Sequence, residues 1–205
     1  MKSRSAAWAG RAAALLCRCG ATPNAISGAS VVMAVLGAAA FVAAGQGWLP
    51  TAVGWVAGAV FVQARLICNL LDGMVAIEGG RKTPTGDLWN EIPDRLADTA
   101  LLMGAAVAAG VPWIGAAAAW GAVMTAYLRA FGASLTGVQD FSGPFAKPQR
   151  MAALTAAALI AAAEPLWTDE PWVMKAALVL IAAGTLITAV RRGRRLAKRL
   201  GQSHE

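Results

Sequence analysis

Between Arg65 and Asp98 the chain places Arg65, Asn69, Asp72, Asp87, Asn90, Glu91, Asp94 and Asp98 in stretches that are otherwise strongly apolar. An ionisable group inside a membrane helix costs about 2.5 to 3.5 kcal/mol, so several together imply partners and a use. Read as helices, Asn69 and Asp72 lie three residues apart, with Arg65 a turn earlier and Ala76 on the same face. Asp87, Asn90, Glu91, Asp94 and Asp98 fall at offsets 0, 3, 4, 7 and 11, a single acidic stripe. The short connection at 78–85 predicts antiparallel neighbours whose stripes face each other near one membrane surface. Facing carboxylates repel unless cations stand between them, and an all-oxygen donor set suits Mg2+ or Mn2+. Such an ion serves phosphoryl transfer: it neutralises a diphosphate and aligns an attacking hydroxyl in line.

Other chemistries lack their residues. The single histidine, His204, lies in the C-terminal tail, which removes imidazole zinc sites and Ser/His or Cys/His catalysis. Cys17, Cys19 and Cys68 form no disulfide framework, and the Cys-x-Cys pair has no histidines near it to complete a metal site.

The elements that must hold this cluster are membrane helices. Of 205 residues, 58% are hydrophobic and 14% charged, where a soluble domain has about a quarter charged. Six apolar segments are predicted, at 25–44, 51–77, 86–109, 113–132, 149–163 and 172–190, separated by stretches rich in Gly, Pro or polar residues. Arg4, Arg11 and Arg18 recur every seven residues beside Trp8, predicting an amphipathic interfacial helix over 3–18. The expected fold is therefore an all-α integral membrane protein of six transmembrane helices with an N-terminal interfacial helix. It divides into an interfacial segment at 1–23, the membrane domain at 24–190 and a basic tail at 191–205.

Charge orients the bundle. Basic residues fall at the N-terminus, at Arg81 and Lys82, at Lys147 and Arg150, and from Arg191 to Arg199, while the intervening loops hold none. The positive-inside rule then puts both termini in the cytoplasm, and the expected location is a bacterial cytoplasmic membrane. Trp48, Trp113, Trp167 and Trp172 lie in or beside the opposite loops, as an aromatic belt does. The net charge of +7 is thus accounted for by topology and by contact of the tail with anionic lipid, and nucleic acid is not expected as a partner.

The spacing resembles the signature of the CDP-alcohol phosphotransferase family, D-x-x-D-G-x-x-A-R, eight or nine residues, then G-x-x-x-D-x-x-x-D. Here it runs Asn69-x-x-Asp72-Gly73-x-x-Ala76-Ile77, eight residues, then Gly86-x-x-x-Asn90-x-x-x-Asp94. Asp72, Gly73, Ala76, Gly86 and Asp94 match. Asn69 and Asn90 stand where the family has aspartate, and Ile77 where it has arginine. Thr22-Pro23-Asn24 and Tyr127-Leu128-Arg129 also look like family features. The resemblance implies that the two helices hold a CDP-alcohol diphosphate through Mg2+ or Mn2+, with Asp94 as general base on the acceptor hydroxyl and CMP as a product. It implies metal ligation by Asn69, Asp72, Asn90 and Asp94, and nucleotide contacts from Asp72, Gly73, Ala76 and Gly86, where a missing side chain lets a nucleotide approach the backbone.

The departures remove two negative charges from a site that in similar enzymes usually holds two divalent ions. Glu91 and Asp98, on the same stripe, are expected to restore part of that charge, and Arg65 to substitute at the nucleotide for the arginine missing at Ile77. A one-metal site is the other possibility. A second polar cluster, Arg129, Lys147 and Arg150, reads as an anion pocket for a phosphate or carboxylate on the acceptor, since arginine offers forked donors. The expected partners are a CDP-linked lipid donor such as CDP-diacylglycerol, a small polar alcohol and the bilayer; a homodimer is possible. A CDP-amino alcohol with a diacylglycerol acceptor fits the same signature. A non-catalytic nucleotide- or lipid-binding relative and a cation or solute transporter are the alternatives from other classes.

Overall fold

The structure, a computed structural model, describes residues 7–78 and 85–202. Lys2, Arg4, Arg81, Lys82 and His204 lie outside them, and of Asp87 only the backbone is described. Among the described residues there are seven α-helices and no strand: α1 (Ala7–Arg18), α2 (Pro23–Gly45), α3 (Thr51–Glu78), α4 (Gly86–Ala108), α5 (Pro112–Thr136), α6 (Lys147–Ala161) and α7 (Trp172–Gln202), with a 3-10 turn at Glu164–Leu166. Local chemistry sets the boundaries. Thr22 caps α2, its hydroxyl accepting from Ala25 N at 3.2 Å, and Pro23 occupies the first helical position, where its missing N–H is not needed. Pro112 opens α5 in the same way, and Gly137, at φ 70°, closes it in a left-handed conformation that favours glycine.

Four of the helices, α2, α3, α5 and α7, are long and apolar enough to cross a membrane. The two others overlap the expected segments but differ from them in kind. Helix α4 carries the acidic stripe, and α6 has only 15 residues, about 22 Å of rise against a hydrocarbon layer of about 30 Å.

Small residues decide which helices touch. A Cβ added at Gly104 of α4 would sit 2.6 Å from Ala38 Cα, and one at Gly58 of α3 would fall 2.1 Å from the Phe41 ring, so α2 lies tightly against both α4 and α3. Phe41 and Trp55 then meet with ring centres 5.3 Å apart and planes tilted by 44°, in a core continued by Leu101, Leu102, Met151, Leu154, Leu178 and Ile181. The expected antiparallel pairing of α3 and α4 holds through their side chains rather than their backbones. Both pack along α2, and they approach each other only sparsely, so polar side chains bridge a gap between them. Arg65 reaches Asp98 while Asn69, four residues on, reaches Asp94, four residues back, which is an antiparallel register.

Two further departures bear on the site. The N-terminal helix docks on the bundle: Ala9 and Ala13 pack with Leu71, Met74 and Val75 of α3, while Arg11 and Arg18 stay exposed. The basic run that was expected to begin a tail at 191 continues α7 without a break to Gln202. Arg192 turns inward there and is buried, donating to Thr125 O at 2.6 Å and Ser142 O at 2.9 Å.

Candidate active site

Two helices supply the oxygen donors. On α3, Asp72 is 5% exposed and accepts from the Ser27 hydroxyl of α2 at 2.7 Å; Asn69, a turn earlier, donates its amide N–H to Asp94 Oδ1. On α4, Pro93 cannot donate to Trp89 O, so the helix loses a backbone bond just before Asp94. Asp94 itself is half-enclosed. Its Oδ1 also receives Arg65 Nη2 at 3.2 Å, and its Oδ2 receives the Lys147 ammonium from α6. Gly73, Ala76 and Gly86 are partly exposed near the ends of the same two helices, and Asn90 and Ile77 are exposed.

Most of the acidic stripe of α4 is answered by cations from surrounding helices. Asp98 is 2% exposed; Arg65 holds one of its oxygens at 2.6 Å and Arg150 the other at 3.0 Å. Glu91 pairs with Arg95 on its own helix and with Arg129 of α5. The structure therefore links Arg65, Asn69, Asp94, Asp98, Lys147 and Arg150 in one network and pairs Glu91 with Arg129, while no such contact ties Asn90 to them among the described residues. Glu91 and Asp98, expected to add charge for a metal, spend both oxygens on guanidinium groups. Arg65, expected at the nucleotide, has no exposed surface and ties α3 to α4 three turns from Ile77. Arg150, expected in the acceptor pocket, lies behind it, donating also to Phe145 O at 3.1 Å. Arg129 and Lys147 keep partly exposed side chains, as a substrate anion requires.

Sequence reading missed four groups that complete this frame: Ser27, Arg95, Arg192 and Arg195. Ser27 was detectable as a hydroxyl close after Thr22-Pro23-Asn24 in an apolar helix. Arg192 gave no signal, because nothing separates it from its neighbours in a basic run. Arg192 and Arg195 pin the 137–146 connection: Arg195 bonds the Ser142 hydroxyl and stands 3.8 Å from Asp140, and Phe145 N donates to the Thr188 hydroxyl at 3.1 Å. Partial burial raises the Asp140 carboxyl, but bonds from Ser142 and the charges of Arg195 and Arg192 outweigh this and hold it below its usual value.

What remains for a cation can be tested against these contacts. Asp72 and Asp94, with the amides of Asn69 and Asn90, are hard oxygen donors of the kind that suit Mg2+ or Mn2+. Among the described residues no group of three or more acidic, His or Cys side chains gathers to enclose an ion. These donors suit such an ion only with water and substrate oxygens completing its shell, and the cations now on Asp94 compete with it for that carboxylate.

No protein-family model matches the chain. Individual relatives do. The chain is 28% identical over 182 residues to the phosphatidylinositol phosphate synthase of Mycolicibacterium smegmatis, covering 85% of this chain and 77% of that protein. It is 29% identical over 139 residues to the archaetidylinositol phosphate synthase of Methanothermobacter thermautotrophicus, covering 67% and 68%. Its fold is similar to crystal structures of the phosphatidylinositol phosphate synthase of Mycobacterium tuberculosis. The structure with CDP-DAG bound superposes with a TM-score of 0.75 at 21% identity, covering 93% of this chain and 94% of that one. The complex with manganese and citrate gives the same TM-score and identity, covering 92% and 88%. Taken with the spacing of Asp72, Gly73, Ala76, Gly86 and Asp94, these relatives make the chain similar in sequence to enzymes of the CDP-alcohol phosphotransferase family.

Proposed function

We propose that the protein transfers a phosphatidyl group from CDP-diacylglycerol to the hydroxyl of a small phosphorylated alcohol, releasing CMP, with Mg2+ or Mn2+ as cofactor. The observation that carries this reading is the pairing of two unlike halves in one site. Asp94 of α4 bonds Asn69 of α3, one turn from Asp72; Lys147 pairs with Asp94 and Arg129 with Glu91 one turn away, each with part of its surface open. The acidic half suits a metal-bound diphosphate, and the basic half a phosphate on the acceptor. The names of relatives support both ends: one makes phosphatidylinositol phosphate, and a fold neighbour was crystallised with CDP-DAG and with manganese. Inositol phosphate is accordingly the first acceptor to try.

A bound Mg2+ or Mn2+ would be held by Asp72 and Asp94 with help from Asn69 and Asn90, and supplies charge neutralisation on the diphosphate. The chain's own groups do the remainder. As an acceptor phosphate enters, Lys147 turns to it from Asp94 Oδ2, while Arg65 and Asn69 keep Oδ1 fixed. Asp94 then takes the proton from the acceptor hydroxyl as its oxygen forms a bond to the phosphatidyl phosphorus and the bond to the CMP oxygen breaks. Proton transfer to a positioned carboxylate contributes about 10²- to 10⁴-fold. The protein spans the membrane six times, α4 packing on α2 and α5, and α6 on α3 and α7, with α1 at the cytoplasmic interface and both termini cytoplasmic.

The test is CMP release from purified protein in lipid, with CDP-diacylglycerol, Mn2+ and a panel of free and phosphorylated alcohols. Release with a phosphorylated polyol is expected. Bound CDP-diacylglycerol with no CMP from any acceptor would favour a non-catalytic relative, for which the engagement of both Asp94 oxygens by Arg65, Asn69 and Lys147 is the relevant observation.

A further inference from the structure

The far end of the bundle holds a second constellation that this chemistry does not use. It lies about 27 Å along α3 from Asn69, taking 18 residues at 1.5 Å each. Three parallel helices, α2, α4 and α6, end together there. A Cβ added at Gly45 would fall 2.4 Å from Ala108 Cα, so the last turns of α2 and α4 meet backbone to backbone, and Ala161 at the end of α6 borders the same space. Each helix C-terminus carries roughly half a negative charge, and three side by side repel one another.

The connection from α6 to α7 adds carboxylates rather than compensating for this. Glu164 is 2% exposed and lines a cavity of about 290 Å³ that these helix ends enclose. Its Oε1 accepts from Val173 N at 2.8 Å, capping α7, but its Oε2 is buried with no hydrogen-bond partner. Asp169 and Glu170 line the same cavity. Lys175 is committed to Glu170 and to the Trp172 ring, and among the described residues no ion pair reaches Glu164 or Asp169. A buried carboxylate oxygen left unpaired beside converging helix C-termini is costly, and a cation is the ligand that relieves both terms at once.

We propose that this cavity is a divalent-cation site of the calcium class, separate from the catalytic metal, with Glu164 Oε2 and Asp169 as its charged donors. The donor set is oxygen throughout: carboxylates, helix-end carbonyls and the hydroxyls of Thr51 and Thr168. Calcium accepts six to eight such ligands in irregular geometry. Because no three acidic side chains gather closely among the described residues, the ion keeps some of its water. Occupation ties the ends of α2, α4 and α6 to the start of α7, so its effect is on the stability of the bundle and not on the phosphoryl step.

The experiment is a Ca2+ titration of the intact chain in detergent, followed by melting temperature and by equilibrium dialysis with radioactive Ca2+. The variants are Glu164→Gln, which retains the Oε1 acceptor for α7, Asp169→Asn, which is exposed and cannot disturb folding, and Asp72→Asn at the catalytic end. Wild type and Asp72→Asn are expected to gain several degrees and to bind Ca2+ alike. Glu164→Gln should need at least tenfold more Ca2+ for the same shift, and Asp169→Asn several-fold more, with CMP release in Mn2+ unchanged in both. Equal Ca2+ responses in wild type, Glu164→Gln and Asp169→Asn would overturn the proposal, as would a response abolished by Asp72→Asn alone. If Glu164→Gln fails to fold, Asp169→Asn decides. Loss of CMP release from wild type would count against the phosphotransfer reading and leave this one standing.

Discussion

Asp94 and Asp98 stand one turn apart on the same face of α4, yet the protein uses them differently. Asp98 is sealed between Arg65 and Arg150, both almost without exposed surface, and joins α3, α4 and α6. Asp94, one turn nearer the end of the bundle, shares Arg65 at 3.2 Å but is otherwise held by a side chain that water can reach, Lys147, and by an amide, Asn69. The depth at which a charge sits decides its role. In the interior, a carboxylate must be permanently matched and so becomes part of the frame. At the rim, the matching cation can leave, and the carboxylate becomes available for chemistry.

The contrast can be broken from either side. Asp98→Ala should be the most damaging change, because it strands two buried guanidinium groups: a stability loss of about 3 to 5 kcal/mol is expected, read as a lower unfolding midpoint in detergent, and a neutral result would remove Asp98 from the frame. Asp72→Asn leaves the fold intact but takes a carboxylate from the rim, so half-maximal CMP release should need at least about tenfold more Mn2+, the scale of one lost charged contact. Arg129→Gln should raise KM for a phosphorylated acceptor about tenfold while leaving KM for CDP-diacylglycerol alone; equal rises in both would place Arg129 outside the acceptor pocket. Glu91→Gln sharpens the comparison through its smallness. A half-exposed carboxylate already paired with Arg95 and Arg129 contributes about 0 to 1 kcal/mol, so the Mn2+ titration should shift no more than about twofold. A large shift would make Glu91 a ligand after all.

Much of this was legible in the residues. The helices follow the apolar segments, since hydropathy and Pro or Gly punctuation act locally, and Thr22-Pro23 and Pro112 mark starts that the structure repeats. The cluster from Arg65 to Asp98 was visible as polar groups at helical spacing. What periodicity could not say is which neighbour answers each charge. That depends on α5 and α6, which are distant in sequence and bring Arg129, Lys147 and Arg150 onto the acidic stripe. A stripe that reads as metal ligands is therefore engaged in large part by ion pairs. Arg192 shows the same limit: in a run of basic residues, only packing against Thr125 and Ser142 distinguishes a clamp from a tail. The Gly45–Ala108 contact likewise required three dimensions, because glycine and alanine fit any close approach and name no partner.

The most direct measurement compares wild type with Asp94→Asn in the same lipid preparation, recording CDP-diacylglycerol affinity, melting temperature and the rate of CMP release with Mn2+ and inositol phosphate. At saturating Mn2+, melting temperature should stay close to wild type and donor affinity should change far less than the rate, which falls by about 10²- to 10⁴-fold, the worth of a positioned general base. A variant that releases CMP at the wild-type rate would contradict the assignment of Asp94 and, with it, the division of α4 into a structural turn and a chemical one.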